Sequence, residues 1–277
     1  MKETWRFLDT PELDAAMNMA LDEAVLLLHA EGKIPPTIRF YTWNPATLSI
    51  GYFQQAHKEI DLEKVKAYGL GFVRRITGGR AVLHDRELTY SVVVRADHPM
   101  IPDSVTESYR VISTGLLLGF QALGLEARFA VPRSQEERLA LTHPRSSVCF
   151  DSSSWYELVV EGRKVAGSAQ TRQRGVVLQH GSILLDLDVD LLFDLFRFSQ
   201  EGIKERLKEQ FRKKAVAINQ LLSRPISLAD VKKAFKQGFA QALKIELKED
   251  RLTAEEERLA RRLVAEKYGQ DDWNLRK

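Results

Sequence analysis

The chain has 277 residues, 44% apolar and 29% charged, a balance that excludes wholesale disorder and leaves ample length for a buried core in one large or two small domains. Lys and Arg number 41 against 38 Asp and Glu, so the formal charge of +3 excludes a nucleic-acid footprint over the whole surface and leaves room only for a local basic patch. The single cysteine, Cys149, excludes an internal disulfide or a cysteine-rich zinc site and suits a reducing cytoplasm.

The first eight residues do not read as a signal peptide, because Asp14, Asp22 and Glu23 break the apolar stretch that follows. No run approaches about 18 uninterrupted apolar residues, so no membrane span is expected. Thr10 before Pro11 reads as a helix N-cap, and Leu13, Met17, Ala20, Leu21, Ala24 and Leu28 recur at helical spacing, which predicts a helix over 11–31. Alternation over Thr37 to Trp43 and Thr47 to Tyr52 predicts two strands about a turn at Asn44-Pro45. A helix is expected from Asp61 to Tyr68, then a strand from Gly71 to Ile76 that enters Thr77-Gly78-Gly79-Arg80. Ala81 to His84 and Leu88 to Arg95 read as two strands of a short hairpin. Ser104 to Glu107 is a capping-box pattern that opens a helix ending at Gly124.

From Arg133 to Ser147 the chain is polar and turn-rich, which predicts a long surface loop delivering Cys149. Trp155 to Val160 reads as a strand that turns at Glu161-Gly162 and returns over Arg163 to Gly167. Two further strand-like runs surround His180-Gly181, and the chain beyond Asp190 reads as helical almost to its end, with Ser227 as a cap and Thr253 to Glu256 as a capping box. The elements predict an α+β fold with a helical C-terminal extension.

P-loop, nucleophile-elbow and H-E-x-x-H signatures are absent, and Gly69-x-Gly71 lacks the third glycine of a dinucleotide fingerprint. Reactive residue types cluster near glycines: Arg74, Arg75, Gly78, Gly79, Arg80, His84, Cys149, Lys164, Gly167 and Ser168. Between Val148 and Phe150, Cys149 reads either as a small buried hydrophobe or as a nucleophile at the end of a loop, which then needs a cationic neighbour to form the thiolate. Lys164 is the candidate cation or, alternatively, a solvated strand lysine. Gly78-Gly79 is either a plain turn or a place where backbone amides approach an anion or a carbonyl oxygen. His84 is a general base or a hairpin histidine bonded to backbone, the second being the simpler reading. Arg74, Arg75, Arg172, Arg174, Lys213 and Lys214 are candidates for a basic docking surface.

Arg74 through Asp85, Ser147 through Phe150 and Gly162 through Arg172 together resemble the lipoate-protein ligase and octanoyltransferase family, and within it the LipM-type octanoyltransferases of Gram-positive bacteria. The resemblance implies a mixed β-sheet flanked by helices, similar to the biotin and lipoate ligase catalytic domain, over about residues 33–248, with the N-terminal helix packed on it and an extension over 249–277. It implies octanoyl transfer from octanoyl-acyl carrier protein to a lipoyl-domain lysine, such as that of glycine cleavage H protein, by a cytoplasmic monomer needing neither metal nor other cofactor. By the same analogy Cys149 carries the acyl thioester and Lys164 lowers its pKa, while Arg75, Gly78, Gly79, Arg80, His84, Gly167 and Ser168 bind substrate. ATP-dependent ligases of the family carry a third glycine where this chain has Arg80. An amidotransferase taking octanoyl from H protein, an ATP-dependent ligase and a non-catalytic lipoyl-domain binder are the competing readings.

Overall fold

A computed structural model describes residues 2–130 and 156–276; Cys149, the loop expected over 133–147 and the expected strand start at Trp155 lie outside the described residues. The frame is a mixed sheet of six strands. In spatial order these are β10 (Ala166–Gln173), β11 (Val176–Leu184), β6 (Glu87–Arg95), β2 (Thr37–Tyr41), β1 (Thr4–Asp9) and β12 (Glu246–Glu249). The first four pair antiparallel, and β2, β1 and β12 run parallel.

Strand alternation divides the sheet into two buried faces. Leu88, Tyr90, Val92 and Val94 of β6 pack toward α4 (Val105–Ala122) and a later helix over Leu228–Ala242. The opposite register, Thr89, Ser91 and Val93, faces α1 (Ala15–Ala30) and a helix over Ala254–Leu263 that widens into a π turn at Val264–Tyr268. A smaller sheet holds β3 (Thr47–Ile50) between β4 (Gly71–Arg74) and β5 (Val82–His84), and packs with α2 (Ala56–Glu59), α3 (Leu62–Ala67) and helices over Val189–Asp194 and Glu201–Lys214. A third sheet comprises β7 (Arg128–Ala130), β8 (Glu157–Val160) and β9 (Arg163–Lys164).

The architecture is thus α+β, a mixed sheet flanked by helices, with helices closing the chain. Local expectations fared unevenly. Ser227 and the Thr253–Glu256 capping box hold their helix starts, and the turn at Glu161-Gly162 joins β8 to β9 with both residues at positive φ. Thr10 is not the cap of α1: its hydroxyl donates to the carbonyl of Phe40, and the carboxylate of Asp14 accepts from Met17 N–H instead, so the helix begins at Ala15. β5 and β6 form no hairpin, since β5 pairs with β3 and β6 with β2 and β11 in a different sheet. Asp85 and Arg86 carry the chain from one sheet to the other. The two runs around His180-Gly181 are one continuous strand, β11. β1 and β12 were not anticipated; β12 is mostly exposed and polar, so its sequence carries no apolar alternation.

Candidate active site

Where the small sheet meets the edge of the large one, a cavity of about 390 Å³, open solvent at its mouth included, lies between the Arg75–Arg80 turn and strands β10 and β11. Arg75, Gly79, Arg80, His84, Gly167 and Ser168 all line it. Gly78 stands next to them in the same turn. Lys164 is not among the lining residues described.

The turn is held from inside by Arg75. Its guanidinium donates to Ser49 Oγ at 2.8 Å and to the carbonyls of Gly78 and Arg80 at 3.1 and 3.0 Å, bonds that fix both sides of Gly79. Gly79 sits at φ +89°, where an L side chain is strained, and a Cβ on Gly51 would lie 1.9 Å from its carbonyl oxygen. Two backbones therefore touch here without side chains between them. Among the described residues, no hydrogen bond takes the N–H of Gly78 or Gly79, which leaves both donors for a ligand.

His84 lies in the wall, stacked on Trp43 with centroids 4.2 Å apart. Arg75 only donates, so Ser49 accepts from it and gives its own proton to His84 Nε2 at 2.7 Å. Nδ1 then faces Thr89 and Glu87, whose nearest oxygens are 3.4 and 3.6 Å away. Burial holds the imidazole below its usual pKa, with Glu87 opposing that shift. His84 is thus bonded to a side chain, not to backbone, and belongs to no hairpin. Trp43 Nε1 donates to Thr89 Oγ1 at 2.8 Å and fixes the aromatic wall.

The opposite wall depends on Gly181, where a Cβ would meet Gly167 O at 2.3 Å and Ser168 Oγ at 2.6 Å. Across that gap the Tyr90 hydroxyl donates to Ser168 Oγ at 2.8 Å. Lys164 is 7% exposed, and its ammonium donates to Glu157 Oε1 at 2.5 Å, so it is no solvated strand lysine. The two form a buried ion pair.

Two of the six cations offered as a docking surface are buried. Arg75 belongs to the cavity, and Arg74, 1% exposed, donates to the carbonyls of Gly51, Tyr52 and Gln54 and of Trp273, Asn274 and Arg276. Arg172 is anchored to Pro102 O and Ser108 Oγ. Of the apolar residues near the turn, Tyr41 and Val82 line the cavity, whereas Ile50 and Val73 are plain core.

The chain matches the family described as the lipoyl protein ligase A/B catalytic domain over residues 14–240. It belongs to that family. Its relatives include octanoyltransferase LipM of Geobacillus kaustophilus, 62% identical over all of this chain and 99% of its own length, and of Bacillus subtilis, 60% identical over the same shares. Among solved structures, a bipartite lipoate protein ligase from Thermoplasma acidophilum aligns with TM-score 0.80 and 27% identity, covering 99% of this chain and 96% of its own. Identity at the level of those LipM relatives, sustained end to end, makes this family member an acyltransferase, an octanoyltransferase. Inside the family frame the cavity's polar fittings become specific. Ser49, Trp43, Thr89, Thr77, Asp22 and His180 were not singled out from sequence, although polar residues in the apolar runs of α1, β6 and β11 were a visible signal.

Proposed function

We infer that the protein transfers an octanoyl group from octanoyl-acyl carrier protein to a lysine of a lipoyl-domain protein such as glycine cleavage H protein, through a thioester on Cys149. The observation that carries this reading is the cavity itself: the lining Gly79 and its neighbour Gly78 with unengaged amides, and the aromatic side chains of Trp43 and Tyr41 in the wall. An octanoyl chain laid against Trp43 and Tyr41 gains about 0.8 kcal/mol per buried methylene before ordering costs.

The thiolate of Cys149 attacks the carrier thioester carbonyl. A new carbon–sulfur bond forms, the bond to the carrier sulfur breaks, and the carrier thiolate leaves and takes up a proton. The acceptor lysine, as a free amine, then attacks the Cys149 thioester; a carbon–nitrogen bond forms, the cysteine sulfur departs, and the amine's proton returns to it. Each step develops negative charge on the acyl oxygen, and the amides of Gly78 and Gly79 are the donors offered to it. Lys164, ion-paired with Glu157, is the group assigned to favour the Cys149 thiolate. A thioester is already activated, so no nucleotide is required. The lone cysteine suits a reducing cytoplasm, and no helix among the described residues is long and apolar enough to cross a membrane.

Intact-mass analysis after mixing with octanoyl carrier protein tests this reading. One octanoyl group on the wild type, none on Cys149→Ser, and passage of that group to a lipoyl domain without nucleotide are expected. No stoichiometric adduct in a single turnover, or transfer that strictly requires ATP and free octanoate, overturns it.

A further inference from the structure

Two chains of acid, imidazole and hydroxyl reach the cavity from different walls. One is Glu87, His84 and Ser49. The second lies deeper: Asp22 Oδ2 is 2.9 Å from His180 Nδ1, and His180 Nε2 is 2.7 Å from Thr77 Oγ1. These three residues come from α1, β11 and the turn, and their exposures are 1%, 4% and 0%.

Asp22 also accepts from Arg39 Nη1 at 2.9 Å, from the Tyr41 hydroxyl at 2.8 Å and from the Ser91 hydroxyl at 2.9 Å. Burial pushes its carboxyl up, but the bond from His180 and the charge of Arg39 outweigh this and hold it below the usual carboxylate range. An ionised carboxylate only accepts, so an imidazole proton sits on Nδ1, and in the neutral ring Nε2 accepts from the Thr77 hydroxyl. The order resembles a hydrolytic triad, yet a fully buried hydroxyl offers no approach to a substrate carbonyl. What the chain does control is backbone. Thr77 immediately precedes Gly78, its carbonyl accepts from Tyr52 N–H at 2.8 Å, and its side chain is pinned by His180.

We propose that Asp22 and His180 are positioning residues for acyl transfer, holding Thr77 so that the amides of Gly78 and Gly79 are preset for the acyl oxygen. The inference rests on the reading that this turn receives that oxygen. It makes α1 part of the transfer apparatus through a helix residue that never touches the reacting atoms. A preset donor costs no reorganisation when charge develops, so loosening it lowers turnover more than binding.

The test compares octanoyl transfer and thermal midpoints for Thr77→Val, Thr77→Ser, His180→Asn and His180→Gln. Valine keeps the shape of threonine without its hydroxyl. The glutamine amide reaches the place of Nε2, whereas the asparagine amide reaches only that of Nδ1. Thr77→Val and His180→Asn are expected to lower kcat by about 10–100-fold with KM within about twofold, while Thr77→Ser keeps most of the rate and His180→Gln, which keeps the contact with Thr77 but loses the one with Asp22, falls between. The double variant Thr77→Val with His180→Asn should be no slower than the slower single, because both cut one chain. Wild-type kcat in a folded Thr77→Val, losses that follow the thermal midpoint, or penalties that multiply in the double variant overturn the inference. If Thr77→Val does not fold, equal kcat for His180→Gln and His180→Asn does so alone. A wild type that transfers no octanoyl group would instead defeat the functional reading, a distinct result.

Discussion

At the scale of single residues, Arg75 shows how one side chain sets a reactive surface. Its planar fork reaches a hydroxyl and two carbonyls at once, and those three acceptors lie on β3 and on the turn between β4 and β5. Lysine offers one rotating point charge and cannot reproduce that spread. Arg75→Lys is therefore expected to reduce kcat/KM for octanoyl transfer by about 10–100-fold, the scale of an ångström-level misplacement, while the protein remains folded by circular dichroism. Rates within a factor of about three of wild type would show that the turn holds itself. The sequence offered Arg75, Gly78, Gly79, Arg80, His84, Gly167 and Ser168 because unusual residue types stood beside glycines. It did not offer Ser49 or Thr89. A hydroxyl in a strand is chemically silent until a partner from another segment arrives, and both partners here are 26 and 46 positions away, Arg75 and Trp43 respectively.

At the scale of elements, the helix crossing behind the sheet depends on residues that carry no side chain. Gly115 and Gly119 of α4 receive the rings of Phe239 and Phe235, and a Cβ on Gly238 would lie 2.4 Å from Gly115 O and 2.5 Å from Gly119 N. Backbone cannot yield as a side-chain tip does. Gly238→Ala is expected to destabilise the protein by about 1–3 kcal/mol in urea unfolding, even though alanine favours a helix by about 1 kcal/mol. Gly202→Ala, which meets open space, is the matched control and should leave the midpoint unchanged or higher. A gain in stability at Gly238 would mean that the two helices can separate freely. The periodicity of α4 was plain in Ile112, Leu116 and Phe120, since a helix announces its apolar stripe locally. Which helix fills the grooves at its glycines was not, because the partner lies more than a hundred residues on.

At the scale of the whole molecule, buried titratable groups set the response to acid. His29 and His84 are held below the usual histidine range, in each case first by burial. His29 Nδ1 faces Ile34 O at 2.8 Å, and its Nε2 is buried without a hydrogen-bond partner among the described residues. As pH falls through about 6.5, the unfolded chain takes up protons that the folded chain refuses, so this part of the stability is complete above that pH and lost below it. Asp22, held below its ordinary range, keeps its contribution down to about pH 4 and loses it as acidification continues. The thermal midpoint should thus be level above about pH 7, begin to fall as the pH drops through about 6.5, and fall further below about pH 4. His29→Gln should flatten the first decline. A midpoint that stays constant or rises from pH 7 to 5 would contradict it.

The sequence by itself determined the class of fold, most helix and strand positions, the helix caps at Ser227 and Thr253, and the family, because periodicity, caps and contiguous motifs are local properties of a chain. Tertiary structure alone decided that β5 and β6 serve different sheets, that β1 and β12 join one sheet from opposite ends of the chain, and that Arg74 and Arg75 turn inward. It alone brought Asp22, Thr77 and His180 within hydrogen-bonding distance across 158 positions of sequence. A buried charge gains its meaning only from the groups that replace water around it, and those groups are chosen by the packing of distant segments.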